Sequence, residues 1–217
     1  MQILFLGPPG AGKGTQCQRL SAHLKLPHLS SGDLLREAVA KGTEAGAKAK
    51  SFMDKGALVP DEVLINMFRD RLQESDCAKG FILDGFPRTV PQAEALDALL
   101  ADLKKPLNTV VDLQVDEALL KERVLGRRTC GNKTCNAVYH IKFNPPKKEN
   151  ICDLCAGELT QRKDDTPEVF LKRMDAYEAT KPLVPYYKKQ GHLRTIDGDQ
   201  TPDKVFADIL KVVQVHA

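Results

Sequence analysis

The segment Gly7-Pro8-Pro9-Gly10-Ala11-Gly12-Lys13-Gly14-Thr15 constrains this chain more than any other. It follows the apolar run Ile3-Leu4-Phe5-Leu6 and precedes a helical stripe, Cys17, Leu20 and Leu24, at i, i+3 and i+7. A continuous apolar run of that length reads as a strand buried on both faces. Strand, glycine loop and helix in that order are the context of a P-loop. The glycines let backbone N–H groups turn inward around phosphate oxygens. The helix N-terminus adds partial positive charge, and the lysine reaches the outer phosphates. An ordinary glycine turn is the plainer alternative, but it gives no reason for the Gly12-Lys13 pair. Many P-loops place Ser or Thr after the lysine as a magnesium ligand. Here that position is Gly14, and Thr15 comes one place later. Magnesium is therefore expected to rest on phosphate oxygens and water rather than on the loop.

Apolar runs recur at Phe81-Ile82-Leu83, Val110 to Val115 and Leu193 to Ile196. Helical stripes lie between and after them. Leu96, Leu99, Leu100 and Leu103 form one, and Leu119, Leu120 and Val124 form another behind the cap Asp116. Thr201-Pro202 opens a third, with Phe206, Ile209, Leu210 and Val213 on one face. This alternation predicts an α/β fold, a central parallel sheet flanked by helices, with ligands beyond the carboxyl ends of the strands. Residues 30–59 and 126–163 break the rhythm and read as insertions, leaving 1–29, 60–125 and 164–217 as the core. Thr166-Pro167 opens a further helix, bearing Phe170, Met174 and Tyr177, which Pro182 and Pro185 are expected to kink or end.

With 42% hydrophobic and 28% charged residues, the chain is neither disordered nor collagen-like. No apolar run approaches the ~18 residues of a membrane span. The first residues carry no basic segment of a signal peptide, so the cytoplasm is the expected compartment. A net charge of +3 is too balanced for a general nucleic-acid binder. Four of the six cysteines, Cys130, Cys135, Cys152 and Cys155, fall in one short stretch as C-x4-C and C-x2-C pairs. Four thiolates can hold one zinc tetrahedrally, and four protein ligands leave no open position for chemistry. Two disulfides, free thiols, or another metal such as iron are the alternatives. Cys17 and Cys77 stand alone and read as core residues. His28 and His140 read as structural.

Phe81-Ile82-Leu83-Asp84-Gly85-Phe86-Pro87-Arg88, with Gln92 four residues on, resembles the signature of nucleoside monophosphate kinases. Added to it are the glycine loop, Gly126-Arg127-Arg128, Tyr139-His140, Phe143-Asn144-Pro145-Pro146 and Arg162-Lys163-Asp164-Asp165. Together they make the chain, from Gln2 past Asp197, similar to the long-lid adenylate kinases. The resemblance implies a P-loop kinase core with an AMP-binding insert over 30–59 and a zinc-bearing lid over 126–163. It implies reversible, magnesium-dependent transfer of the γ-phosphoryl group of ATP to AMP, giving two ADP. It also implies a monomer that needs neither nucleic acid nor membrane.

Site roles carry over by motif. Gly10, Ala11, Gly12, Lys13, Gly14 and Thr15 match the ATP phosphate loop, with Val138, Tyr139 and Gln200 covering the ATP base and sugar. Ser31 and Arg36 match the first AMP segment, and Ala57, Leu58 and Val59 the strip beside the adenine. Gly85, Phe86, Pro87 and Arg88 continue the AMP site, and Gln92 matches the residue that reads the adenine edge. Arg123, Arg127, Arg162 and Arg173 match arginines that converge on the phosphates, Arg127 toward ATP and Arg162 and Arg173 toward AMP. Asp84 matches the acid that orders magnesium through water. One departure stands out. Metal-bearing lids of the family more often show C-x2-C in the first pair, which Asn132-Lys133-Thr134 lengthens here.

The chemistry agrees with the residues themselves. Two nucleotides bring several mutually repelling negative charges, and guanidinium forks suit phosphate oxygens. Any one of these arginines could be a solvated surface residue, but they belong to separate motifs. The acceptor phosphate is already an anion, so no protein nucleophile is needed. A kinase for UMP, CMP or GMP is the near alternative. A zinc-ribbon nucleic-acid binder is the remote one, and it leaves Gly85 to Arg88 and Gln92 unexplained.

Overall fold

The computed structural model describes residues 1–55, 57–132, 134–135 and 137–214. The first half of the chain runs β1 (Gln2–Leu6), α1 (Lys13–Leu24), β2 (His28–Ser30), α2 (Ser31–Ala40), α3 (Glu44–Asp54), α4 (Asp61–Leu72), β3 (Phe81–Asp84) and α5 (Val90–Asp102). It continues through β4 (Thr109–Gln114), α6 (Glu117–Leu125), β5 (Arg127–Cys130), β6 (Val138–His140) and β7 (Leu159–Thr160). It closes with α7 (Pro167–Glu178), α8 (Leu183–Lys189), β8 (Leu193–Asp197) and α9 (Pro202–Gln214).

Five strands form the main sheet in the order β2-β3-β1-β4-β8, with every neighbouring pair parallel. Strand side chains alternate between faces. On β1, Leu4 and Leu6 join one core with Leu83, Phe68 and Leu96, while Ile3 and Phe5 join the other with Ile82, Leu20 and Ile209. The sheet is thus covered on both faces, as a parallel sheet of uninterrupted apolar strands requires. Because β1 is central, the glycine loop emerges at the middle of the carboxyl edge. Asp84 ends β3 directly beside it, in register with Phe5.

The sequence stripes become helices with the caps their residues suggest. Asp116 accepts the Ala118 N–H at 2.9 Å, and Thr166 accepts the Val169 N–H at 3.3 Å. Pro182 ends a helix rather than kinking it: α7 stops at Glu178 and α8 begins at Leu183. Pro185 falls in the first turn of α8, where its missing N–H has no intrahelical carbonyl to bond. Three features go beyond the expectation. β2 is a strand of three residues at the edge of the insertion, held by Leu29. α4 carries its own buried stripe, Leu64, Phe68 and Leu72. The cysteine stretch folds as a separate antiparallel sheet in the order β6-β5-β7.

That small sheet has its own core of Cys130, Ala137, Tyr139, Cys152 and Leu159. His140 ties it to the main body. Its Nε2 lies 3.1 Å from the Glu122 carbonyl, and its Nδ1 accepts the N–H groups of Lys142 and Phe143 at 3.0 and 3.1 Å. A ring nitrogen that accepts two backbone donors is a packing residue, in line with the structural role read for His140.

Candidate active site

The glycine loop turns through backbone conformations closed to most side chains. Gly10 and Gly12 have φ of +88° and +90°. A Cβ on Gly10 would also stand 2.8 Å from the Leu120 carbonyl oxygen. The loop delivers Lys13 to the start of α1, and its ammonium curls back to donate to the Gly7 and Pro8 carbonyls at 2.6 and 2.8 Å. Burial pulls the Lys13 ammonium down to about 8, against the favourable charge of Asp84 and with the opposition of Arg88 and Arg173.

The loop forms one end of a cleft of about 1010 Å³. Ser31, Arg36 and Leu58 line the other end, and Gly85, Pro87 and Arg88 lie along the wall. Val138, Tyr139 and Gln200 line the same cleft. A recess of about 60 Å³ opens beside Ser31, Arg36 and Leu58 and adds Ala57 and Val59. Phe86 and Gln92 line neither space. Phe86 is buried and stacks on Phe68, with ring centroids 4.7 Å apart. Gln92 is buried too, its Oε1 accepting the Arg88 N–H at 2.7 Å and its Nε2 donating to Asp61 at 2.6 Å. The amide therefore braces the Arg88 backbone from behind.

Arginines reach the cleft from well-separated elements: Arg36 on α2, Arg88 after β3, Arg123 on α6, Arg127 on β5, Arg162 after β7 and Arg173 on α7. Carboxylates hold three of them. Asp33 meets Arg36 at 2.6 Å and Asp164 meets Arg173 at 3.0 Å. Buried Asp165 takes the Arg127 fork on both oxygens, at 2.9 and 2.5 Å. The other three rest on neutral oxygens: Arg88 on the Gly85 carbonyl, Arg123 on the Gly198 carbonyl and Arg162 on the Thr129 hydroxyl. Burial, joined by the repulsion of Arg173, pulls Arg88 down to about 10. Burial and the repulsion of Arg127 do the same to Arg162. A guanidinium stays protonated regardless, so these directions record burial first and the nearness of other arginines second.

Asp84 faces this array from the end of β3. Burial pushes its carboxyl up, but the His28 contact and the charges of Lys13 and Arg88 outweigh that and hold it below the usual range. It sits under Gly14, where a Cβ would lie 3.7 Å from its Oδ2. The loop thus leaves the carboxylate facing the cleft, which suits a hydrated magnesium ion carried by a nucleotide. Ser31 Oγ donates to the Gly85 carbonyl at 2.8 Å, joining the two walls of the cleft. The carboxylates Asp33, Asp164 and Asp165 were not among the expected site residues. The run Arg162-Lys163-Asp164-Asp165 was the visible signal for Asp164 and Asp165, and Asp33, three residues before Arg36, was that for the third.

The four cysteine sulfurs lie within 4.8 Å of one another. Cys130 and Cys155 are 3.4 Å apart, and Cys135 and Cys152 are 3.7 Å apart. Both distances are too long for disulfides and near the ~3.8 Å edge of a tetrahedron with 2.3 Å metal–sulfur bonds. The lengthened first pair is absorbed in a turn: Asn132 accepts from Thr134 N–H through its side chain and from Cys135 N–H through its carbonyl. The Tyr139 hydroxyl lies 3.6 Å from Cys152 Sγ and accepts the Asp153 N–H at 2.8 Å. One residue thereby lines the cleft and braces the sulfur cluster.

A phosphate loop facing an array of arginines across one cleft defines the class: a P-loop phosphotransferase. Comparison with known proteins narrows it. The family model for adenylate kinase matches residues 5–192. An adenylate kinase of Desulforudis audaxviator is 54% identical over 211 residues, covering 97% of this chain and 98% of the relative. An adenylate kinase of Methanocella arvoryzae is 52% identical over 215 residues, covering 99% of each chain. One from Bacillus mycoides is 51% identical over 210 residues, covering 96% of each. The chain belongs to the adenylate kinase family.

The lowered lysine gives a pH test. Phosphate binding uses the protonated ammonium, so kcat/KM is expected to fall as pH rises through about 8 in the free enzyme. Bound phosphates favour the charged form and displace the decline in kcat to higher pH. An alkaline limb of kcat/KM that lies above pH 10, or is unchanged in Lys13→Arg, would detach Lys13 from that role.

Proposed function

We propose that the cleft seats ATP at the glycine loop and AMP at the end formed by α2 and the Gly85–Arg88 segment. The reaction is reversible transfer of the γ-phosphoryl group of ATP to AMP, giving two ADP, the activity of the family to which the chain belongs. The observation that carries the seating is the arginine array. Among the described residues, three of its members hydrogen-bond to neutral oxygens rather than to carboxylates, and they line the cleft with the rest.

On this reading Gly10 to Thr15 cradle the ATP phosphates while Val138, Tyr139 and Gln200 cover its base and sugar. Ser31, Arg36 and residues 57–59 receive AMP. Gln92, held between Asp61 and the Arg88 backbone, sets the adenine-reading wall from behind. Arg88, Arg123, Arg127, Arg162 and Arg173 neutralise charge on the passing phosphoryl group. Asp165 and Asp164 fix the forks of Arg127 and Arg173 so that less conformational freedom is lost on binding. Asp84 with its surrounding water would hold the magnesium carried with ATP, which would offset the charge of the phosphates. Transfer is direct, because two anions aligned end to end need no covalent stop on the protein. Water must be kept out, and the insert over 30–59 and the lid over 126–163 close to exclude it.

Cys130, Cys135, Cys152 and Cys155 hold a structural zinc. Among the described residues the core of the lid sheet is Cys130, Ala137, Tyr139, Cys152 and Leu159, three of them around the sulfur cluster, so metal–thiolate bonds would add to a small apolar core. The chain acts as a cytoplasmic monomer; among the described residues no helix is long and apolar enough to cross a membrane.

A coupled assay with ATP against a panel of monophosphates tests the acceptor. AMP is expected to be preferred, and equal or better rates with UMP, CMP or GMP would reassign it. Arg88→Ala and Arg127→Ala are each expected to lower kcat about 10³-fold or more with the circular dichroism spectrum unchanged. A near-normal rate in either variant removes that residue from the array. Elemental analysis is expected to find one zinc per chain, lost on chelation together with thermal stability. Purified protein that is active and metal-free would refute the zinc assignment.

A further inference from the structure

Beneath the glycine loop lies a side-chain cluster that phosphoryl transfer leaves largely unused. Cys17 on α1, His28 at the start of β2 and Asp84 at the end of β3 each bring one donor atom within 4.8 Å of the others. The topology makes this meeting. β2 and β3 are register neighbours, and α1 packs across β3. The three donors are a thiol, an imidazole and a carboxylate. Such a set suits zinc and its heavier relative cadmium, whereas magnesium asks for oxygen donors throughout.

A second observation points to a ligand here. The buried Nε2 of His28 has no hydrogen-bond partner. Asp84 Oδ2 stands 3.5 Å away, at the outer limit for a hydrogen bond. A buried ring nitrogen without a partner is costly, and a bound cation would satisfy it. Cys17 is fully buried and forms no disulfide, so its sulfur is free to coordinate. His28 and Asp84 line the cleft, each with 12% of its side chain exposed, and they provide the way in. Three protein ligands would leave a fourth position for water, which the cleft lined by His28 and Asp84 could supply.

We propose that Cys17, His28 and Asp84 form an inhibitory site for a thiophilic divalent cation, zinc or cadmium. On binding, the Cys17 S–H bond breaks, its proton passes to solvent, and a metal–sulfur bond forms. Histidine and aspartate complete the protein ligands. Asp84 is then withdrawn from the water around nucleotide-bound magnesium, so the two cations exclude one another. The inhibition, though not the binding, rests on the reading of Asp84 given above. The lid cluster is a separate site, built from four other cysteines on the small sheet.

The test uses the full-length protein as purified, with its lid metal retained. Wild type, Cys17→Ala and His28→Asn are titrated with cadmium chloride in magnesium-free buffer. Binding is followed by thiolate-to-cadmium absorption and by calorimetry. Exchange at the lid contributes equally to all three proteins, so only differences count. Wild type is expected to take up one ion more than Cys17→Ala. His28→Asn is expected to bind that ion at least ~10-fold more weakly, a loss already typical of changes one shell further out. Zinc or cadmium is expected to inhibit wild type, with relief by added magnesium–ATP. Cys17→Ala should be resistant, with its uninhibited turnover unchanged. Equal uptake by wild type and Cys17→Ala overturns the site, whatever Asp84 does in catalysis. Should Cys17→Ala not fold, unchanged affinity in His28→Asn overturns it equally. An extra ion that binds and leaves turnover untouched overturns the inhibitory role alone.

Discussion

Arginines gathered around one space repel each other, and much of this molecule exists to hold them there. None of the six comes from the same element as another, so each is fixed by its own backbone rather than by its neighbours. Asp33, Asp164 and Asp165 offset half the array, and carbonyl or hydroxyl oxygens hold the rest. The array is thereby short of negative charge before any ligand arrives. That deficit is what a pair of nucleotides supplies. Preorganised cations in a cleft that sheds water act far more strongly than the same charges in solvent.

The parallel sheet gives the array its fixed reference. β1 carries the glycine loop, and β3 and β4 flank it on either side. Asp84 and Arg88 follow from β3, whereas Arg123 and Arg127 follow from the helix and small sheet after β4. The arginines thus approach from opposite sides of one buried strand. The small antiparallel sheet lies outside this frame with a core of its own, whereas α2 and α3 share the core of the main sheet through Leu35 and Ala49.

Much of this was legible in the residues. Long apolar runs and Gly12-Lys13 announce the sheet and the loop, because burial on both faces leaves no polar position to blur the pattern. β2 escapes notice because a strand of three residues, His28–Ser30, offers only Leu29 as an apolar signal. β5 to β7 escape for the same reason, since strands of two to four residues cannot display an alternating period. α4 does have a stripe in Leu64, Phe68 and Leu72, yet it carries no site motif to draw attention. At the site, motif matching finds the cations but not their geometry. Nothing local in Gln92 tells that its amide is buried behind Arg88, and nothing in Cys17 or His28 tells that they meet at Asp84. Those are consequences of helix packing and strand register, which short-range patterns do not encode.

The curled posture of Lys13 has a consequence for selectivity in salt. Two of its three N–H donors already bond the Gly7 and Pro8 carbonyls, so an incoming anion competes with them for the lysine. Hydrogen bonds to a charged group are worth about 1.5–3 kcal/mol each, which is the scale of that competition. A monovalent ion that meets the ammonium alone has less to set against it than a ligand that meets several donors together. The resting posture of one side chain thus weights the loop toward multivalent anions.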